Sequence, residues 1–195
     1  MFFSDEINPN NPNEIEEIKE FLKRFDVTFD NPDKTFVIRD KGSIVATGSA
    51  DKNVLKYFFV CKKYKGQGAT SVIYNSLLKH LLENGHHSYF VFTTPNNKEI
   101  FESLGLTEVY STAKVSLYEG GFYNYKKWIE KAKEKLGPKS GTRGSIIMNC
   151  NPMTKGHKYL IMKALEEVDE LIIFVVEEDR SVFPLRNRFK IMEQE

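Results

Sequence analysis

The sequence is short of the features that announce several functional classes. Only two of its 195 residues are cysteine, Cys61 and Cys150. They stand far apart, form no CxxC pair and have no histidine cluster nearby, which argues against a disulfide scaffold or a structural zinc site and points to a reducing compartment. A dominant charge is missing too: 28 basic and 27 acidic residues leave a formal net charge of +1, too little to attract nucleic acid or an anionic membrane. No apolar run reaches membrane-spanning length, and Met1-Phe2-Phe3 passes at once into acidic, Asn/Pro-rich sequence instead of a basic and then apolar leader. There is no internal repeat and no low-complexity tract. Together these absences predict a cytoplasmic protein with no nucleic-acid and no membrane partner.

What is present is ordinary folded material, 41% hydrophobic and 28% charged. From 13 to 25 the apolar positions Ile15, Ile18, Phe21, Leu22 and Phe25 fall at helical spacing behind an Asn-Pro-Asn start. Two β-branched runs, 35–39 and 43–47, are joined by Asp40-Lys41-Gly42, which is hairpin chemistry. A strand is predicted over 53–61, then a helix over 70–83 with Ile73, Leu77, Leu78, Leu81 and Leu82 on its inner face. Further along come a strand at 88–93, a short helix at 98–104, strands at 106–110 and 114–118, and a lysine-rich helix at 122–136.

Breakers and small polar residues crowd 137–144, and beyond them the pattern is a buried-type strand (145–148), a helix (156–168), an apolar strand (171–176) and a helix opening at Pro184. The predicted fold class is therefore α/β. A mixed sheet with flanking helices occupies 1–120, a helical linker 121–143, and the first β-α-β-α part of a Rossmann-like domain 144–195. That last part is short against the roughly 100–200 residues of a self-sufficient nucleotide domain, and it stops within a helix. The expectation is a truncated domain.

Two turns between a strand and a helix stand out as phosphate cradles, because free amides and the positive end of a helix dipole meet there. One is Asn149-Cys150-Asn151-Pro152-Met153-Thr154-Lys155-Gly156-His157; the other is Lys65-Gly66-Gln67-Gly68-Ala69-Thr70. In the first, His157 can give a proton or hydrogen bond to phosphate oxygen, and Gly156 leaves room for a nucleotide. Cys150 has no evident base and reads as a small residue packed beneath the loop.

Thr154, Lys155, Gly156 and His157 resemble the T/H-x-G-H signature of the nucleotidyltransferase superfamily. With Val175-Val176-Glu177-Glu178-Asp179-Arg180-Ser181, which follows at the end of the next strand, the segment resembles the citrate lyase ligase family. The 65–70 turn resembles motif A of the GNAT acetyltransferases, which grips the pyrophosphate of coenzyme A. Phe101-Glu102-Ser103-Leu104-Gly105 is similar to a GNAT segment whose Tyr often protonates the departing thiolate; here Glu102 stands in its place.

The resemblance implies a ligase that joins acetate to ATP with Mg2+, forming acetyl-AMP and pyrophosphate, and then acetylates the thiol of a CoA-like prosthetic group on the citrate lyase acyl carrier subunit. His157 and Thr154 would be catalytic; Asn149, Asn151, Gly156 and Arg180 would hold ATP. Lys65, Gly66, Gln67, Gly68, Ala69 and Thr70 would hold the CoA-like group. Glu177, Glu178 and Asp179 are candidates to shape a magnesium site, although no metal ligand is assigned. Arg186 and Arg188 are candidates for phosphate or carboxylate, with a surface helix face as their simpler reading. Two other readings stay open: an acetyl-CoA-dependent N-acetyltransferase, and a non-catalytic module that binds the CoA arm.

Overall fold

The computed structural model describes residues 2–177 and 182–194. The chain divides into two compact units, Met1–Ile129 and Glu130–Glu195. No helix among the described residues is long and apolar enough to cross a membrane.

In the first unit, helix α1 (Pro12–Lys23) begins behind Asn11, whose side chain accepts from the Asn13 amide at 3.1 Å. Proline at the first helical position loses nothing, because that amide would have no helical partner. The helix buries Ile18, Phe21 and Leu22 with Val37 and Ile44 of the sheet. Strands β2 (Lys34–Asp40) and β3 (Ser43–Asp51) form the expected hairpin, with Asp40 opposite Ser43. Its two loop residues, Lys41 and Gly42, both have positive φ, 49° and 82°. This is the twist-matched two-residue turn.

The remaining strands are β4 (Val54–Val60), β5 (Ser88–Thr93), β6 (Thr107–Ser111), β7 (Ser116–Gly121) and a two-residue β1 (Asp5–Glu6) that sequence patterning does not reveal. The seven-stranded order is β1-β2-β3-β4-β5-β7-β6, antiparallel except for the parallel β4–β5 neighbours. Helix α2 (Ala69–Glu83) lays Ile73, Tyr74, Leu77 and Leu81 into the core with Leu55, Val91 and Tyr118. Leu82, expected on that face, is 50% exposed. The short α3 (Lys98–Ser103) contributes Phe101, which packs against Phe58 and Tyr118.

Helix α4 (Tyr125–Leu136) starts later than the apolar pattern suggests. Gly121 is left-handed (φ 85°), and the buried Glu119 carboxylate accepts from the Tyr125 amide at 2.9 and 3.0 Å, which fixes the start.

The second unit holds a parallel pair, β8 (Arg143–Met148) and β9 (Glu170–Val175), in continuous register from Arg143↔Glu170 to Met148↔Val175. Helix α5 (Lys155–Leu165) is the crossover between them, and α6 (Leu185–Met192) follows. An Arg143–Glu170 ion pair closes the amino end of the pair. The pattern predicts a buried-type strand at β8 and an apolar one at β9; instead of being covered, Ile147 is 72% exposed and its register partner Phe174 is 44% exposed. Residues in register on adjacent strands share a face, so one face of this two-stranded sheet is uncovered.

Candidate functional site

In the first unit the site is prepared by the sheet itself. β4 pairs with β5 only at Val54↔Phe90 and Leu55↔Val91, whereas β5 pairs with β7 along its whole length. The carboxyl half of β4 therefore parts from β5. A bulge adds to this: the register with β3 slips between Thr47 and Ser49, and Tyr57, on the bulged side, has φ 60°.

From β4 the chain passes through a single 3-10 turn, Lys62–Tyr64, into the 65–70 turn. The Tyr64 hydroxyl donates to Asp40, and the Gln67 side-chain amide donates to the Lys63 carbonyl at 2.8 Å. Gly66 (φ 75°) and Gly68 (φ 84°) adopt the left-handed region, and an added Cβ at either would meet nothing within 4 Å. Their backbone thus faces open space. Gly68 caps α2 without any side-chain bond, and the Val72 amide is the first to bond back, to the Gly68 carbonyl at 3.2 Å. The amides of Ala69, Thr70 and Ser71 are first-turn donors lacking the usual helical acceptor. Ala69 buries its methyl in the core, so it offers a ligand only its backbone. Lys65 is exposed. Glu102 carries an ion pair with Lys98 at 3.6 Å, one turn away.

In the second unit the expected residues come together at the carboxyl ends of β8 and β9. Thr154 caps α5: its hydroxyl accepts from the His157 amide at 3.4 Å, while His157 Nδ1 accepts from the Thr154 amide at 3.0 Å. A capping box normally uses Glu or Gln at this third position; here a histidine fills it. Because the backbone amide needs an acceptor, Nδ1 carries no proton in the neutral ring, and the proton sits on Nε2. The ring thereby presents a donor directed away from its own cap. Gly156 has no positive φ, and a Cβ there would make only ordinary contact with Thr154 Oγ1 at 3.6 Å. Among the described residues nothing calls for a glycine at this position.

The asparagine side-chain oxygens bond within the unit. The Asn151 side-chain oxygen accepts from the Phe183 amide at 2.9 Å, and Asn149 Oδ1 accepts from Arg188 at 2.7 Å. These oxygens shape the turn. Cys150 is fully buried with φ 50°, beneath the loop as expected, and burial pushes its thiol up while the charge of Arg188 opposes that shift. Glu177 is exposed at the end of β9, while Glu178, Asp179 and Arg180 lie outside the described residues. Among the described residues no group of three or more His, Cys, Asp and Glu could hold a metal ion.

Arg188 corrects the sequence reading most. A surface helix face was the simpler expectation; instead the side chain is 1% exposed. Its Nη1 donates to the Asn149 carbonyl at 2.6 Å, to Asn149 Oδ1 at 2.7 Å and to the Val176 carbonyl at 2.7 Å. Arg188 lies on the same helix face as Leu185, Ile191 and Met192, the less exposed residues of α6, so the spacing carried a signal that the polar residue type hid.

Residues 6–116 match the family described as acetyltransferase (GNAT) domain, and residues 143–195 match that described as citrate lyase ligase C-terminal domain. Curated relatives are named as ligases of citrate (pro-3S)-lyase. The protein of Escherichia coli (strain K12) is 30% identical over 179 residues, covering 90% of this chain and 50% of its own. That of Haemophilus influenzae is 32% identical over 183 residues, covering 91% and 53%. The chain spans about half the length of these relatives. Two solved structures share the fold of the first unit at 13% identity. They are an aminoglycoside 6'-N-acetyltransferase complexed with coenzyme A (TM-score 0.53, 63% of this chain and 98% of that one) and a probable acetyltransferase from Staphylococcus epidermidis (TM-score 0.50, 63% and 100%). By these matches the chain belongs to the GNAT acetyltransferase-domain family, and its residues from Arg143 on are similar to a citrate lyase ligase C-terminal domain.

Proposed function

We propose that this chain is an ATP-dependent acid–thiol ligase, or the portion of one, that activates acetate and delivers the acetyl group to the thiol of a CoA-like prosthetic group on the citrate lyase acyl carrier subunit. The observation that carries the reading is the histidine-filled capping box at the end of β8, which aims an Nε2 donor from a helix start whose Lys155 and Gly156 amides lack the usual helical acceptor. Such a place is suited to charge developing on phosphate.

In the first step an acetate oxygen bonds to the α-phosphorus of ATP while the bond to the bridging oxygen breaks, and pyrophosphate leaves. His157 Nε2 and the first-turn amides of α5 would stabilise the departing charge, and Gly156 would let the nucleotide lie close to backbone. Magnesium, when bound, would supply positive charge against the departing pyrophosphate. In the second step the thiol sulfur bonds to the acyl carbon as AMP leaves, and the thiol proton passes to solvent. The 65–70 turn would hold the pyrophosphate of the arm through the amides of Gly66 to Thr70, with Lys65 as a point charge and the gap between β4 and β5 admitting the chain. Exposed Glu102, ion-paired with Lys98, is poorly placed to protonate a thiolate, which disfavours amine acetylation from acetyl-CoA. Soluble substrates and the balanced charge suit a cytoplasmic setting.

The test is the formation of AMP and pyrophosphate from ATP and magnesium with acetate present and absent. Formation only with acetate is expected. AMP formation indifferent to acetate, or acetylation of amines from acetyl-CoA that survives His157→Ala, sinks the reading.

A further inference from the structure

Arg188 holds a full charge in the interior, and its surroundings do not neutralise it. The guanidinium is 1% exposed, and its bonds go to two backbone carbonyls and one side-chain amide oxygen. Among the described residues no carboxylate pairs with it, and Nε is buried with no hydrogen-bond partner. A buried cation without a counter-charge is costly, and buried charges are ordinarily paired. Its position adds to the case. Nη1 spans Asn149, just past β8, and Val176, just past β9, so one nitrogen ties together the two loops that face the crevice at the strand ends. The opposing effect of its charge on the neighbouring Cys150 thiol agrees with a positive field at the base of the turn.

We propose that Arg188 is a positioning residue for polyphosphate: it clamps the 149–157 turn to the end of β9, and its unneutralised charge supplies the field that draws a triphosphate or pyrophosphate into the turn. The inference rests on the reading of that turn as a phosphate site. The anion, when bound, supplies the missing counter-charge, so ligand and guanidinium stabilise each other. Lysine keeps the charge but cannot reproduce the planar fork of donors, whereas methionine keeps bulk without charge.

Calorimetric titration of the wild-type, R188K and R188M chains with inorganic tripolyphosphate, and separately with adenosine, tests this directly. Tripolyphosphate binding is expected to weaken modestly in R188K and about tenfold or more in R188M, a loss that shrinks at high salt because charge was removed. Adenosine affinity should not change. Equal tripolyphosphate affinity in the three folded chains overturns the proposal, as does a wild-type chain that takes up no tripolyphosphate. Should R188M fail to fold, R188K decides: slower tripolyphosphate capture with faster amide exchange at Val176 and Phe183 is expected, and no change in either overturns it. A wild-type chain that shows the expected tripolyphosphate pattern but never cleaves ATP with acetate leaves Arg188's role standing and defeats the ligase reading alone.

Discussion

The two turns proposed to hold phosphate are built from different materials. The 65–70 turn is made by glycine: Gly66 and Gly68 supply left-handed backbone, open space surrounds them, and no side chain caps the helix that follows. The 149–157 turn is made by side chains: Thr154 and His157 cap each other, Asn151 holds the Phe183 amide, and Arg188 ties both strand ends together. The first can be approached from many directions and makes few demands on the chemistry of what it grips. The second presents one oriented imidazole donor in a turn clamped by a buried guanidinium, the arrangement that stabilising charge at one place and moment requires. The turn proposed to hold and the turn proposed to react thus differ in how much side-chain hydrogen bonding fixes them.

That contrast can be broken in order of expected effect. His157→Ala should lower acetate-dependent pyrophosphate release about 10²–10³-fold, the usual cost of losing an oriented donor to a developing anion, while coenzyme A binding by the first unit is unchanged. A parallel loss of both would mean the turns are not separate in function. Gly68→Val places a β-branched residue at φ 84°, a strain of about 1–3 kcal/mol, and should weaken coenzyme A binding about tenfold with ATP cleavage of the remaining site intact. Isothermal titration with coenzyme A checks it. Thr154→Ala removes one cap and should destabilise the second unit by about 1 kcal/mol in urea unfolding, with Thr154→Ser restoring most of it.

The smallest effect concerns pH. The bond from Arg143 holds the Glu170 carboxyl below its ordinary range, aided by Ser140. Its folded value is depressed, so the ion pair's contribution is present above the unfolded carboxyl value and is lost as pH falls through the lowered one. Acid titration of the second unit's unfolding should show that decline in the wild type and a flatter profile in Glu170→Gln.

Much of the first unit could be read in advance because its signals are local. Asp40-Lys41-Gly42 gave the hairpin, and the spacing of Ile73, Leu77 and Leu81 gave the buried face of α2. The strand-turn-helix context located His157 at a helix start. What could not be read depends on neighbours remote in sequence. Strand β1 is two acidic residues that become a strand only by pairing with Val37 and Phe36. Arg188 looks like a surface residue until Asn149 and Val176 surround it; its spacing from Leu185 and Met192 points inward, but the residue type argues for solvent. The exposure of Ile147 and Phe174 was equally hidden, since an apolar run states what a strand would prefer to cover, not what covers it.

The brief contact between β4 and β5 has a mechanical side. Val54–Phe90 and Leu55–Val91 are a narrow weld between two stiffer plates, β1 to β4 and β5 to β7. A plate joined at one end can pivot there, so whatever wedges into the gap braces the plates against each other as a strut would. Occupancy should therefore be felt as stiffness across the whole first unit, with melting temperature rising as the strut's concentration exceeds its dissociation constant.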